Sequence, residues 1–162
     1  METYLTKPLQ SLSKETKLIT LSAVEGITLL KTREDSAFEA HDHGSHESHQ
    51  DGAEHDEPDL HIWFSPQNAM TMVDTIVASL SKVDPAQSTY YAENGEKLKK
   101  KLATLDQEIS ESLRPLTGKT YIVSHDAYQY LEHRYGIQAA GSITLSPDQN
   151  PSAGRLKNIR TK

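Results

Sequence analysis

The amino-acid sequence predicts an α/β fold built on a parallel sheet. In its C-terminal part, strand-like segments at 119–124 and 137–145 flank a helical pattern at 126–135. Such alternation is typical of parallel strands joined by right-handed crossover helices. A helical pattern over residues 84–114 precedes these elements and carries one apolar stripe among Lys and Glu. A helix of roughly thirty residues spans about 43 Å, so we expect a strut that lies against two bodies.

The N-terminal part contains shorter elements. Residues 2–12 suggest a short helix, although a proline within it weakens its continuity. The apolar runs at 17–21 and 27–30 are predicted to be strands or extended segments. A helix is predicted over residues 66–82, because its apolar residues recur at helical spacing and a serine hydroxyl followed by Pro66 forms a good helix start.

An acidic, histidine-rich segment separates these parts. From Glu34 to Asp59 there are ten acidic residues, five histidines and no Lys or Arg. Almost nothing in it is apolar, so we expect a mobile loop when no metal is bound. Neutral imidazole is a common zinc ligand, and the loop is expected to bind zinc or copper loosely. The alternative is a solvated acidic linker that happens to contain histidine. The five histidines are His41, His43, His46, His49 and His55.

Composition restricts the possible partners. The net charge of −6 argues against nucleic acid and anionic membrane surfaces, and it favours cations. The chain has no Cys, so a metal site must use His and carboxylate side chains. The sequence motifs of metallopeptidases, serine hydrolases and phosphate-binding loops are absent, and we therefore expect no enzymatic activity.

Two histidines outside the loop are candidate metal ligands. His125 directly follows a predicted strand, at the sheet edge where ligands of open α/β folds collect. His61 precedes the first long helix, and Asp59 could orient its ring by accepting a hydrogen bond from it. His133 is interpreted as an ordinary residue of a helix surface.

Three neighbours of the candidate ligands are given structural roles. Trp63 and Phe64 are predicted to be core aromatics that pin the start of the helix at 66–82. Asp126 is predicted to cap the helix that follows His125, because a carboxylate at that position can accept hydrogen bonds from the first backbone N–H groups.

The ends of the chain carry no targeting signal. Residues 1–7 lack the basic lead and the apolar stretch of a secretion signal, and no apolar run is long enough to cross a bilayer. At face value these features indicate a soluble intracellular chain. However, residues 157–162 stop within an amphipathic helical pattern, and the first residues have no helix cap. We therefore expect both ends to be cut.

Several segments match a known pattern in order and spacing. The histidine-rich loop is followed by PDLHIWFSP at 58–66, by the long helix, by VSHDAYQY at 123–130 and by SPDQNPSAGRL at 146–156. Together they resemble the zinc-binding, extracytoplasmic solute-binding component of bacterial ABC uptake systems for transition metals, of the cluster A-I type. The resemblance covers nearly the whole chain.

This resemblance implies two α/β lobes joined by one rigid helix, with the metal held in the cleft between them. The chain would then contain the C-terminal part of the first lobe (1–83, including the loop at 34–59), the inter-lobe helix (84–114) and the start of the second lobe (115–162). A further histidine ligand and the secretion signal would lie upstream of this sequence, and a carboxylate ligand or its supporting partner would lie downstream.

The resemblance also implies a function. His61 and His125 would be the main-site ligands from the first and second lobes, and a monomeric receptor in the periplasm or another extracytoplasmic space would capture Zn²⁺ and deliver it to an ABC membrane permease. Histidine at position 125 favours zinc, because manganese-binding relatives carry a carboxylate there and manganese suits harder oxygen ligands. Two alternatives stay open: a cytosolic zinc-storage or chaperone protein that acts through the loop, and a manganese or iron receptor of the same architecture.

Overall fold

The computed structural model describes residues 5–12, 16–33 and 57–144 of the 162-residue chain. The five loop histidines and the last predicted helix lie outside these ranges. Short 3-10 turns flank the regular elements at Leu21–Ala23, Ile62–Phe64, Pro85–Gln87 and Arg114–Leu116. The regular elements are α1 (Thr6–Gln10), α2 (Pro66–Val83), α3 (Ser88–Leu113), β1 (Thr120–His125), α4 (Gln129–Tyr135) and β2 (Gln138–Thr144).

The C-terminal elements form the predicted β-α-β unit. Strands β1 and β2 pair in parallel, with Thr120 opposite Gln138 and His125 opposite Thr144. Helix α4 connects them and ends at Gly136, whose φ of 65° places it in the left-handed region that glycine adopts easily. The α/β prediction is therefore confirmed for this part of the chain. Its buried side chains include Val123, Ala127, Tyr130 and Ala139.

Helices α2 and α3 pack against each other along their lengths. Helix α2 begins as predicted, because the Ser65 hydroxyl accepts a hydrogen bond from the Asn68 N–H at 3.2 Å and Pro66 occupies the first helical position. Helix α3 has 26 residues, a length of about 39 Å. Within the described ranges, no helix combines the length and apolarity needed to span a bilayer.

The close contact between α2 and α3 depends on a glycine. Gly95 is buried on α3, and a Cβ atom there would lie 2.6 Å from Cγ2 of Val77 on α2. Real Cβ atoms do not come this close to another carbon, so any larger residue at this position would push the helices apart.

Gly95→Ala is expected to lower the free energy of unfolding by up to about 2 kcal/mol. Alanine favours a helix interior by about 1 kcal/mol over glycine, but overpacking typically costs about 1–3 kcal/mol. Urea unfolding measures the change. In a Val77→Ala background, which removes the obstructing methyl group, the same substitution should become neutral or stabilising. An equal loss in both backgrounds would show that the contact with Val77 is not the cause.

The two apolar runs near the N-terminus do not become strands. Residues 17–20 and 27–30 belong to no helix or strand, and residues 21–23 form a 3-10 turn. The buried side chain of Asn68 makes the hydrogen bonds that a neighbouring strand would otherwise make. Its Oδ1 accepts a hydrogen bond from the Thr28 N–H at 2.9 Å, and its Nδ2 donates one to the Thr28 carbonyl at 3.0 Å. Sequence patterns do not predict this pairing, because a side chain satisfies the backbone groups.

Asp106 on α3 joins three helices. Its carboxylate accepts two hydrogen bonds from Arg134 and one from the Tyr135 hydroxyl, both on α4, and one from the Gln67 side chain on α2. The Arg134 guanidinium is the main reason that the pKa of Asp106 lies below its usual value. The strut is thus attached to the β-α-β unit through a charged, hydrogen-bonded cluster.

Candidate metal centre

The fold brings the two candidate ligands together. His125 is the last residue of β1, and His61 stands directly before the 3-10 turn that leads into α2. Their ring centroids are 5.3 Å apart and the rings are inclined by 62°. A tetrahedral zinc ion bound at about 2.0 Å by two imidazole nitrogens would place the ring centroids about 5 Å apart. The observed centroid separation is therefore compatible with a shared ion.

Asp59 holds the His61 ring in one orientation. Its Oδ1 accepts the backbone N–H of His61 at 2.9 Å and lies 2.7 Å from the ring Nδ1. When Nδ1 carries the proton and donates it to this carboxylate, Nε2 keeps its lone pair for a metal. The contact expected from the sequence is present, and burial of Asp59 protects it from solvent.

The two aromatic residues after His61 differ from their predicted role. Trp63 is 58% exposed and is not a core residue, so that prediction is wrong. The 3-10 turn directs Ile62 into the interior and leaves the Trp63 ring on the surface, 5.5 Å from His61 in an edge contact. Phe64 is half-buried against Tyr128, with ring centroids 5.2 Å apart.

Asp126 does not cap a helix, which corrects a second prediction. Helix α4 begins only at Gln129, and its N-terminus has no side-chain cap. Asp126 instead faces the Arg33 guanidinium at 3.5 Å. Burial raises the pKa of this carboxyl to about 6, Arg33 opposes the rise, and the nearby Glu132 adds to it. His133 is exposed on α4, as predicted.

An ion pair with a buried carboxylate lies near the candidate ligands, and sequence reasoning missed it. The Arg33 guanidinium donates to Oε2 of Glu132 at 2.6 Å, and the Tyr121 hydroxyl donates to Oε1 of the same carboxylate at 3.0 Å. Glu132 is only 5% exposed. A buried carboxylate of this kind needs a cationic partner, but the two residues are 99 positions apart and no local pattern links them.

The base of the histidine-rich loop is bound to α4. We call residues 30–33 and 57–59 the loop stem. Its two sides are joined by hydrogen bonds from the Thr32 N–H to the Glu57 carbonyl and from the Asp59 N–H to the Leu30 carbonyl, at 2.9 and 2.8 Å. On α4, the Gln129 side chain donates to the Lys31 carbonyl at 2.8 Å. The two sides of the loop stem are therefore held together, and one of them is attached to α4.

The described residues supply an incomplete set of zinc ligands. Within them, no group of three or more His, Cys, Asp or Glu side chains could hold a metal ion. A structural zinc site has four protein ligands, and an open site usually has three. His61 and His125 would thus form half of a tetrahedral coordination shell.

The α/β fold of this chain is similar to that of solved metal-binding proteins. One neighbour is the crystal structure of a Zn(II)-bound mutant variant of AdcAII from Streptococcus pneumoniae, at 27% identity and a TM-score of 0.63, covering 96% of this chain and 54% of that chain. Another AdcAII structure from the same organism has a TM-score of 0.65 at 26% identity, and covers 89% of this chain and 46% of that chain.

The family model described as zinc-uptake complex component A, periplasmic (ZnuA) matches residues 1–162, and the chain belongs to this family. It is 40% identical over 184 residues to the high-affinity zinc uptake system protein ZnuA of Brucella abortus. This match covers all of this chain and 55% of that relative. The zinc-binding lipoprotein AdcA of Streptococcus pneumoniae is 35% identical, covering 98% of this chain and 30% of its own length. The chain spans about half the length of the ZnuA relative and a smaller share of AdcA. The resemblance to bacterial zinc receptors is confirmed.

Proposed function

We propose that this chain is the part of a zinc receptor that supplies one histidine ligand from each side of the cleft, His61 and His125. The receptor captures Zn²⁺ in the extracytoplasmic space and delivers it to an ABC membrane permease. The observation that carries this proposal is the 5.3 Å separation of the two imidazole rings, which are 64 positions apart in the sequence.

The chemistry of the site favours zinc over manganese. Both candidate ligands are imidazoles, and a buried carboxylate orients one of them through Nδ1. Nitrogen ligands suit zinc, whereas manganese prefers carboxylate, carbonyl and water oxygens. The names of the relatives agree, because they are a zinc uptake protein and a zinc-binding lipoprotein rather than enzymes.

The remaining predictions about architecture form part of this proposal. Residues 1–83 belong to the first lobe, 84–114 form the inter-lobe helix and 115–162 begin the second lobe. The attachment of α3 to α4 through Asp106 supports a rigid connection between them. The loop histidines His41, His43, His46, His49 and His55 supply a second, looser class of metal binding.

Deletion of residues 41–55 is expected to leave the tight zinc-binding class intact. The deletion lies between the two sides of the loop stem and removes none of the stem residues. Titration with zinc in competition with a chelating dye should show the loss of weak binding only, and zinc should displace manganese from the tight class. Loss of nearly all zinc binding would instead identify a storage protein that acts through its loop. Failure of zinc to outcompete manganese would identify a manganese or iron receptor.

A further inference from the structure

We propose that Tyr130 is a positioning residue of the metal centre, and that its hydroxyl group sets the distance between the two histidine rings. This inference rests on the proposed function, because it concerns the same pair of ligands. Tyr130 contacts neither ring in the described hydrogen-bond network. It acts through the backbone that carries Asp59 and His61.

The Tyr130 hydroxyl joins both sides of the loop stem. It accepts a hydrogen bond from the Leu30 N–H at 3.0 Å and donates one to the Asp59 carbonyl at 2.6 Å. The residue is 3% exposed, so water does not compete for either hydrogen bond. A hydroxyl that accepts one bond and donates another has its proton direction determined, which makes this link directional as well as short.

Asp59 transmits this constraint to His61. Tyr130 donates a hydrogen bond to the backbone carbonyl of Asp59. The Asp59 side chain in turn holds both the backbone N–H and the ring Nδ1 of His61. A displacement of the Asp59 backbone would therefore move and rotate the imidazole. No other residue in the described network binds Asp59 through its carbonyl and also belongs to the unit that carries His125.

The other end of the link is fixed to His125. Tyr130 lies on α4, which follows β1 after a connection of three residues, 126–128. Ala127 in this connection and Tyr130 itself are both buried. His125 and the Tyr130 hydroxyl therefore belong to one packed unit, and the hydroxyl relates the position of His61 to that unit.

The tyrosine ring and its hydroxyl have separable roles. Phenylalanine at this position would keep the buried ring and its packing, but it would leave the Leu30 N–H and the Asp59 carbonyl without their partner. The stem would then relax to recover hydrogen bonds, and Asp59 and His61 would move with it. Residues that support metal ligands typically change metal affinity by about 10- to 100-fold when they are replaced.

A pair of matched variants tests the proposal in the full 162-residue chain. Tyr135 is also on α4, but its hydroxyl donates to Asp106 at 2.8 Å, which belongs to the strut rather than to the loop stem. Tyr130→Phe is expected to lower the zinc affinity of the tight class by about 10- to 100-fold. Tyr135→Phe removes an equivalent hydroxyl and should leave zinc affinity unchanged, although both variants lose some stability. Equal affinities in the two variants would overturn the proposal.

The metal-free protein provides a second readout. Nitrogen-15 NMR of the imidazole groups reports whether the Nδ1 of His61 carries the proton that is donated to Asp59. Tyr130→Phe should change the His61 signals, while Tyr135→Phe should not. If the wild-type chain shows no tight zinc binding through its histidine pair, the proposed function fails. The NMR comparison still decides the positioning role: unchanged His61 signals in Tyr130→Phe would reject it.

Discussion

Replacing His125 by alanine is expected to lower the zinc affinity of the tight class by more than about 100-fold. Loss of a residue that only supports a ligand costs about 10- to 100-fold, and loss of the ligand itself should cost more. A 100-fold loss corresponds to about 2.7 kcal/mol of binding free energy. His61→Ala should have an effect of the same size, because each ring is half of the pair separated by 5.3 Å.

A third histidine of the chain provides the control. His133 is exposed on α4, in the same β-α-β unit as His125, and its replacement by alanine should leave zinc affinity unchanged. The double variant His61→Ala with His125→Ala should lose the tight class while the weak binding by the loop persists. Chelator competition at fixed pH measures the zinc affinity of the three single variants and of the double variant. If His133→Ala weakened binding as much as His125→Ala, the effect would reflect histidine content rather than the site.

Arg33→Met is expected to lower the free energy of unfolding by up to about 3 kcal/mol, because Glu132 is buried while Arg33 is half-buried. The substitution keeps much of the apolar stem of arginine but removes the charge that balances Glu132, a carboxylate only 5% exposed. Removing one partner of a buried ion pair is costly because the other charge stays buried and uncompensated. The Tyr121 hydroxyl still donates to Glu132, but a neutral donor does not replace the guanidinium.

Two further variants separate this effect from a general loss of arginine. Arg134→Met removes the partner of Asp106, but the Arg134 side chain is 44% exposed, so we expect a loss of only about 1 kcal/mol. Replacing Glu132 by methionine in the Arg33→Met protein should recover much of the lost stability, since no unpaired buried charge remains. Urea unfolding measures each variant. Equal losses for Arg33→Met and Arg134→Met would show that burial of Glu132 does not govern the cost.

The helices could be predicted from the sequence because their signals are local. The serine and proline at the start of α2 satisfy and shape the first helical turn, and the apolar spacing of α2 and α3 follows the helical repeat. The β-α-β unit was predicted for the same reason, since each strand is a short strand-like segment and Gly136 marks the end of the intervening helix. Each of these signals lies within a few residues of the element it defines.

The predictions that proved wrong concern the environment of single side chains. A tryptophan beside a helix start is typical of a core residue, yet the 3-10 turn directs Trp63 to the surface. An aspartate after a strand is typical of a helix cap, yet α4 starts later and Asp126 faces Arg33 instead. In both cases the type of residue was compatible with two environments, and a shift of one to three residues in a turn selected between them.

By itself, the sequence determined the two long helices and the C-terminal β-α-β unit, the absence of thiolate ligands, and the two histidines most suited to hold a metal. Only the tertiary structure decided that these two rings meet, and that Tyr130 and Arg33 bind the loop stem to α4. The physical reason is the separation in sequence over which each kind of signal acts. Helix and strand signals act between neighbours in the chain, whereas these contacts join residues up to 99 or 100 positions apart through single hydrogen bonds that leave no periodic trace in the sequence.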